Sequence, residues 1–353
     1  MRPSFYAHNL TQLEEILIQN ELAPVGASQL FNWHYRHKNV GLCNRNLAEK
    51  TKQFINNYFS FELPVIDTVQ EAKDNTVKFL FKFTDNMKAE TVLIPFQNKY
   101  ALCLSTQVGC GMKCSFCFTG KQGLKRNLTP DEIIGQFIGA WNWLKQNRPE
   151  AKRILSIVYM GQGEPLHNFD AVLKANEIFL EKKGISLGCQ RITVSTSGYL
   201  PGLHRFVNEM FGVNIALSLH SPFKHKRDQL IPINKNYPLA EVLNAIDMIP
   251  LKKKQFIIYE YLLIKDLNDQ VEDALATIEL LKVRKGPLQV NLIPFNPFPG
   301  SHYERPSLER VEAFYDILKT HGIGVTIRTT KGNDILAACG QLNSATPSFS
   351  MSL

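Results

Sequence analysis

The 353-residue sequence lacks long apolar runs, internal repeats and the paired cysteine pattern of a secreted protein. Because no continuous apolar stretch is found near its start or elsewhere, neither a signal peptide nor a membrane span is expected. The seven cysteines are odd in number and three lie close together, which argues against a disulfide framework. Free thiols available for metal binding or catalysis are typical of the reducing cytoplasm, where we expect the protein to act.

A second scarcity is that of acidic residues relative to basic ones. The chain has 40 Lys and Arg residues against 32 Asp and Glu, a formal net charge of +8. Basic clusters occur at KQGLKR (121–126), KHKR (224–227) and KKK (252–254). They are consistent with a solvated basic surface or with a nucleic-acid partner, since clustered Lys and Arg bind phosphates by releasing counterions.

The succession of hydrophobic patterns predicts an α/β protein whose core is a partial barrel. Apolar residues at helical spacing within 1–62 predict an N-terminal helical domain, and alternating segments within 63–98 predict a small antiparallel β extension. From 99 to 340 a strand followed by a helix recurs six times. Six units are too few for a closed eight-fold barrel but suit an open, TIM-like one. The last part, 341–353, is expected to be a frayed tail.

The strands of this barrel are expected to be short, apolar and rich in β-branched residues, because they are covered on both faces. The candidates are YALCLST, ILSIVYM, RITVSTS, NIALSLH, FIIYEYLLI, LQVNLIPF and, last, GVTIRTT. The first connecting helix should begin after Thr129, with Pro130 at its first position and Glu132 completing a capping box. The cysteine cluster, GQGEP, STSG, SLHSP and NPFPG each follow a strand, which predicts a site at the carboxyl ends of the strands.

Cys110, Cys114 and Cys117 form the pattern C-x-x-x-C-x-x-C. Structural zinc takes four ligands, commonly from two C-x-x-C pairs, and no matching pair follows here. Catalytic zinc with three thiolates and a water is an alternative. The spacing favours a cubane iron–sulfur cluster, in which three thiolates leave one iron open for an exchangeable ligand.

This cysteine pattern after the first strand of a partial barrel resembles the radical S-adenosylmethionine (SAM) superfamily. The resemblance implies a 4Fe–4S cluster whose open iron is chelated by the amino and carboxylate groups of SAM. MGQGEP (160–165) is similar to the superfamily's glycine-rich turn. Such a turn can also hold phosphate, but Glu164 would repel phosphate and can accept hydrogen bonds from an ammonium group.

Further motifs are similar to the RlmN/Cfr rRNA methyltransferases over about residues 75 to 342. They are CLSTQVGC, RNLTPDEIIGQ, VSTSG, SLHSP, LIPIN, NLIPFNPFPG and AACGQL. The resemblance implies methylation of an adenine carbon in 23S rRNA, and for the RlmN branch also in tRNA. QVGC, KQG and NPFPG favour C2 methylation. CFTG is closer to the C8-methylating Cfr branch, Gln162 replaces a frequent Met, and the tail is short, so C8 is the alternative.

The resemblance also assigns roles to single residues. Cys339 would accept a methyl group from a first SAM, and a radical from a second SAM would abstract hydrogen from that S-methyl. Cys103 would then attack the Cys339 sulfur, forming a disulfide and releasing the product, while Glu90 would remove the ring proton. The residues implied to contact SAM are Gly163, Glu164, Ser195, Ser218, Leu219, His220 and Asn296.

Each of these residues also has an ordinary structural interpretation. Lone cysteines such as Cys103 and Cys339 are usually small core residues, and Glu90 alone would be an exposed strand carboxylate. His220 alone would be a hydrogen-bonded core or loop histidine, and Ser195 could cap the following helix. The remaining cysteines that match no motif, Cys43 and Cys189, are expected to be structural.

The partners implied by the resemblance are 23S rRNA, tRNA and an electron donor such as flavodoxin, with the protein acting as a monomer. An adenine in folded RNA must be unstacked, which costs a few kcal/mol that phosphate contacts must offset. The N-terminal helices and Lys121, Lys125 and Arg126 beside the cysteine loop are therefore predicted to bind RNA. The competing classes are a non-catalytic zinc-dependent RNA-binding protein and a radical enzyme that acts on a protein.

Overall fold

The computed structural model describes residues 2–37, 47–96, 99–150 and 153–344, and its N-terminal part is helical, as predicted. Short 3₁₀ and π-helical turns accompany α1 (Leu10–Gln19), α2 (Val25–Phe31) and α3 (Glu49–Tyr58). Helix α1 begins with a reciprocal cap, because the Asn9 side chain accepts a hydrogen bond from the Gln12 amide and the Gln12 side chain accepts one from the Asn9 amide. The predicted structural residue Cys43 lies outside the described residues.

The antiparallel segment is continuous with the barrel. It consists of β1 (Val65–Glu71), β2 (Val77–Lys82) and β3 (Lys88–Phe96). Strand β3 pairs antiparallel with β4 (Lys99–Cys103), the first strand of the barrel, and places Val92 opposite Cys103. The extension therefore continues the barrel sheet beyond the edge of its first strand.

The strands of the barrel run parallel to one another. All seven segments predicted to be barrel strands are strands in the structure. They are β4, β7 (Arg153–Tyr159), β8 (Ile192–Thr196), β9 (Asn214–Ser218), β10 (Ile257–Leu263), β11 (Leu288–Pro294) and β12 (Val325–Ile327). Between β4 and β7 a separate hairpin forms from β5 (Gln107–Gly109) and β6 (Leu124–Asn127). The large sheet has the order β1-β2-β3-β4-β7-β8-β9-β10-β11-β12, so the described strands form an open six-unit barrel, as predicted.

Helices connect these strands and cover the sheet. They are α4 (Phe118–Gln122), α5 (Pro130–Asn147), α6 (Phe169–Leu180), α7 (Leu200–Glu209), α8 (Lys224–Leu230), α9 (Leu239–Ile246), α10 (Val271–Leu281) and α11 (Leu308–Thr320). Helix α5 has the predicted capping box: Pro130 is its first residue, and the Glu132 carboxylate accepts a hydrogen bond from the Thr129 amide at 2.9 Å.

One hydrophobic core joins the N-terminal helices to the barrel. Leu13 and Leu17 of α1 belong to the same buried cluster as Phe137 of α5 and Ile178 of α6. Asn9 adds a polar contact by donating to the Glu177 carboxylate on α6 at 2.7 Å. In the part of the chain that the structure describes, no helix is long and apolar enough to cross a membrane.

Candidate active site

The carboxyl ends of the parallel strands and the loops that follow them surround one cavity. Nine of the predicted site residues line it: Cys110, Cys114, Cys117, Gly163, Glu164, Ser195, Ser218, His220 and Cys339. The predicted contact Leu219 is fully buried and does not line this cavity. Asn296 lines a neighbouring cavity instead, which shares Cys339 and Arg328 with the first. The two cavities therefore meet at Cys339.

The three clustered cysteines lie on the loop between β5 and α4. Burial raises the pKa of the Cys110 thiol to about 12 and that of Cys114 well above its usual value, and the thiols reinforce one another's shifts. Burial also raises the pKa of Cys117, while hydrogen bonds to its sulfur from Gly120 and Thr119 oppose this. Three free thiolates would therefore be unstable here, whereas binding to a cation would offset their charge.

The loop is packed too tightly for a larger residue at Gly120. A Cβ atom there would lie 2.9 Å from the Cys114 carbonyl oxygen and 3.1 Å from its amide nitrogen. Since both are backbone atoms, the loop would have to move to accommodate a side chain. Glycine thus allows the backbone of α4 to approach Cys114.

A single metal ion and a cluster require different arrangements of the three thiols. Within the described ranges, no group of three or more His, Cys, Asp or Glu side chains is arranged to hold one ion. A zinc ion requires all of its thiolates at about 2.3 Å from one centre. In a cubane each thiolate binds a different iron, so the sulfurs surround a larger volume. All three cysteines line one cavity, as thiolates that share a cluster would.

The GQGEP turn after β7 places a buried carboxylate on the cavity wall. Gly163 has a φ of +100°, and a Cβ atom there would lie 2.6 Å from Gln107 Cβ. The Glu164 carboxylate accepts hydrogen bonds from the amide and hydroxyl of Ser197, both at 2.8 Å. Burial raises the pKa of Glu164, and these hydrogen bonds oppose that shift. A further cationic donor, such as an ammonium group, would stabilise the ionised form.

The prediction that KHKR (224–227) lies on the surface is wrong for Arg227, because its side chain is fully buried. Its guanidinium donates to the Ser197 carbonyl at 2.8 Å and to the carbonyls of Ser218 and Leu219. It also donates to Asn234 Oδ1 at 3.0 Å. Arg227 therefore joins the ends of β8 and β9, and nothing in the local sequence pattern distinguishes it from its exposed neighbours.

His220 is held in a strained position at the end of β9. Its φ is +56°, in the left-handed region, and its carbonyl accepts a hydrogen bond from Asn268 at 2.6 Å. The ring Nδ1 accepts from the Leu262 amide at 3.0 Å, and the ring packs edge-on against Phe116 in the cysteine loop. Burial lowers the pKa of His220 to about 3, so the imidazole is neutral.

Cys103 lies close enough to Cys339 for that thiol to affect its pKa. Burial raises the pKa of Cys103 to about 12, the Cys339 thiol adds to this increase, and the Arg328 guanidinium opposes it. Cys103 also packs with Ala337 and Leu342, which flank Cys339 in sequence. Arg328, which follows β12, raises no signal in the sequence, yet its positive charge faces both thiols and Glu260.

Glu90 lies inside the protein rather than on an exposed strand face. Its Oε1 forms an ion pair with Lys78 Nζ at 3.0 Å, and its Oε2 accepts a hydrogen bond from the Asn343 amide at 2.5 Å. The Glu90 amide donates to Gln162 Oε1 at 3.1 Å. Gln162, which replaces a frequent Met, therefore supports the backbone of the residue predicted to accept a proton.

The segment that carries Cys339, residues 339–344, is hydrogen-bonded to the end of the cysteine loop and to α4. The Phe118 amide donates to the Gly340 carbonyl and the Thr119 hydroxyl to the Leu342 carbonyl, both at 2.7 Å. Gln122 Nε2 donates to Asn343 Oδ1 at 2.6 Å. These contacts bring Cys339 to the cavity lined by the three cysteines.

The basic residues beside the loop differ in how they are engaged. Arg126 forms a two-pronged pair with Glu132 at 2.7 and 2.8 Å and a third bond with Asp85 at 2.6 Å. Arg126 is thus held in ion pairs within the protein, and its contact with RNA stays a prediction. Lys121 donates to the Gly300 carbonyl and lies over the Phe298 ring, whereas Lys125 is exposed.

Comparison with known proteins agrees with this geometry. A family model described as the Radical SAM superfamily matches residues 104–281. The dual-specificity RNA methyltransferase RlmN of Bartonella henselae is 42% identical, over 94% of this chain and 85% of its own length. The chain belongs to the RlmN family of the radical SAM superfamily. The matched region begins directly after β4 and contains the cysteine loop and the GQGEP turn.

Two further comparisons cover almost the entire chain. RlmN of Paracoccus denitrificans is 41% identical over 95% of this chain and 88% of its own length. A crystal structure of a radical SAM methyltransferase from Sphaerobacter thermophilus superposes with a TM-score of 0.88 at 35% identity, covering 97% of this chain and 99% of the other. The family likeness therefore extends beyond the barrel to nearly the whole chain.

Proposed function

We propose that this protein methylates C2 of an adenine in 23S rRNA and in tRNA, through an S-methylated Cys339. The observation that carries the proposal is the position of Cys339 on the same cavity as the three clustered cysteines and Glu164. Sequence identity of about 40% to RlmN enzymes along most of the chain supports the same reaction and the dual RNA specificity.

Cys110, Cys114 and Cys117 would hold a 4Fe–4S cluster, and Gly163 and Glu164 would receive the amino end of SAM beside it. When bound, these groups supply a methyl group and, after reduction, a species that abstracts hydrogen. Ser195, Ser218 and His220 line the same cavity and would contact the rest of SAM. Leu219 and Asn296 would contribute indirectly, Leu219 through its backbone and Asn296 through the Cys339 carbonyl, to which its amide donates at 3.4 Å.

The protein's own residues would then carry out the steps on the RNA. Cys339 presents its sulfur-bound carbon to the adenine, and Glu90 takes the proton from the carbon that is methylated. Cys103 attacks the Cys339 sulfur, so that an S–S bond forms as the S–C bond to the product breaks, and the released carbon takes up a proton to complete its methyl group. Arg328 favours the thiolate of Cys103 that this attack requires.

The same proposal extends to partners. The formal net charge of +8 suits a polyanionic substrate, and a one-electron donor such as flavodoxin would supply the reducing equivalent. We further propose that the protein acts as a monomer in the cytoplasm, where thiols stay reduced between turnovers.

Nucleoside analysis tests the proposal. Anaerobically iron-loaded protein is incubated with SAM, a reductant and unmodified 23S rRNA, and the RNA is digested and examined by mass spectrometry. We expect 2-methyladenosine, and none when Cys339→Ala replaces the wild type. Formation of 8-methyladenosine alone would assign the Cfr reaction, and full turnover by Cys339→Ala would favour a radical enzyme that acts on another substrate.

A further inference from the structure

Lys78 is a buried lysine whose side chain lies beside the proposed proton acceptor. In the antiparallel register Lys78 lies opposite Val92, and Leu80 lies opposite Glu90, so Lys78 and Glu90 are diagonal neighbours on one face of the sheet. The two side chains are 9% and 6% exposed, and their charged atoms are 3.0 Å apart. Lys78 Nζ also donates to the Leu336 carbonyl at 3.3 Å.

A lysine at this position contradicts the pattern of its strand. Its neighbours Val77 and Phe79 are fully buried, and Lys78 is buried with them, although Lys is almost never buried without a partner. A buried ion pair stabilises a fold no better than well-packed apolar residues would, because both charges lose their hydration. Stability alone therefore does not account for Lys78, whereas a need for charge next to Glu90 does.

Among the groups around Glu90, the Lys78 ammonium supplies the charge that acts on the carboxylate. Burial raises the pKa of Glu90, while the positive charge of Lys78 and the hydrogen bond from the Asn343 amide oppose that shift. Cys103, on the neighbouring strand, is neutral because burial raises its pKa to about 12. The other contacts are with uncharged groups: Ser105 donates to the Glu90 carbonyl, and Gln162 accepts from its amide.

We propose that Lys78 is a positioning residue that keeps Glu90 an anionic proton acceptor and fixes its carboxylate toward the adenine. The inference rests on the proposed function of Glu90. In the step concerned, the C–H bond at the methylated carbon breaks, its electron pair returns to the ring, and the proton forms an O–H bond on Glu90. Lys78 acts by keeping the carboxylate ionised and in place before that transfer, and it takes up no proton itself.

The test compares Lys78→Met and Lys78→Arg with wild type across a pH series, using single-turnover RNA methylation as the rate. Without the ammonium, Glu90 should be protonated at higher pH, so the acidic limb of the Lys78→Met profile should move to higher pH. We expect the rate at neutral pH to fall by about 10- to 100-fold, with the KM for RNA changed by less than about threefold. Lys78→Arg should restore the wild-type limb, because it retains the charge.

Controls separate a lost charge from a lost fold. Methylation of Cys339, measured as the added mass of the intact protein, precedes proton removal from RNA and should be unchanged in Lys78→Met. The matched variant is Lys82→Met, which removes an exposed lysine from the same strand and should behave as wild type. Loss of Cys339 methylation in Lys78→Met would show that Lys78 only maintains the fold, which would overturn the inference.

Two further outcomes distinguish failure of this inference from failure of the proposed function. If Glu90→Gln methylates RNA at the wild-type rate, Glu90 is not the proton acceptor and the proposed role of both residues is wrong. If Glu90→Gln is inactive but Lys78→Met is slowed equally at every pH, the role of Glu90 stands and that of Lys78 does not.

Discussion

At the residue scale, Arg227 combines full burial with four hydrogen bonds from its guanidinium. Its guanidinium reaches the carbonyls that end β8 and β9, and burial lowers its pKa to about 10. Because this pKa lies above neutral pH, Arg227 stays protonated there. The buried charge thereby fixes the two strand ends that line the proposed SAM cavity.

Replacing Arg227 by Met should destabilise the protein strongly. The change leaves carbonyl oxygens buried without donors, and we expect the free energy of unfolding to fall by about 2–4 kcal/mol, as measured by chemical denaturation. Lys224→Met is the matched control, because Lys224 forms only an exposed pair with Asp228 at 2.6 Å and should change stability by less than about 1 kcal/mol. Equal stability of the two variants would contradict this account of Arg227.

Arg227 and Glu90 also show what the sequence could not reveal at this scale. Both were predicted from local pattern to be exposed, and both are buried. The acceptors of Arg227 are backbone carbonyls contributed by other strands, and the cation beside Glu90 comes from a neighbouring strand. Side-chain chemistry can be inferred along the chain, but partners brought together by the tertiary fold leave no mark in a short segment.

At the scale of elements, the cysteine loop depends on the close approach of α4. We predict that Gly120→Val displaces the Cys114 backbone, since a Cβ atom at Gly120 would lie 2.9 Å from the Cys114 oxygen. Iron bound after anaerobic loading should fall to less than about half that of wild type, because the thiols no longer surround one volume.

The control for this change is Gly188→Ala, at another helical turn. A Cβ atom at Gly188 would have Arg191 Cγ as its nearest neighbour at 3.9 Å, which is an ordinary contact. This variant should bind iron like wild type. Full iron loading of Gly120→Val would show that the loop tolerates displacement and that Gly120 is not required.

The elements themselves could be predicted well from the sequence. Apolar, β-branched segments gave all seven parallel strands, and the capping box at Thr129 gave the start of α5. The continuity of β1–β3 with the barrel sheet could not be predicted. Alternation shows that a strand has one buried face, but it does not show which strand lies beside it.

At the scale of the whole molecule, the basic charge divides into residues held in ion pairs within the protein, such as Arg126, and exposed lysines. Lys121 and Lys125 are exposed near the cysteine loop, whereas Lys253 and Lys254 precede β10 and so lie at the opposite, amino-terminal ends of the strands. If RNA approaches the site, only the first pair should contact its phosphates.

We predict that Lys121→Ala combined with Lys125→Ala weakens RNA binding without loss of iron. Each lost phosphate contact should reduce the slope of log affinity against log salt by about 1, so the double variant should lose about 2. The matched variant carrying Lys253→Ala and Lys254→Ala should keep the wild-type slope. Identical slopes for both double variants would exclude this face as the RNA-binding surface.

The central claim is that three thiolates hold a cluster with one iron open to SAM. It is tested most directly by electron paramagnetic resonance of the anaerobically loaded and reduced protein, with and without SAM. We predict the signal of a reduced 4Fe–4S cluster that changes when SAM is added and that is absent from the Cys110→Ala, Cys114→Ala, Cys117→Ala triple variant. Bound zinc in place of iron, or a cluster signal that SAM leaves unchanged, would contradict the account.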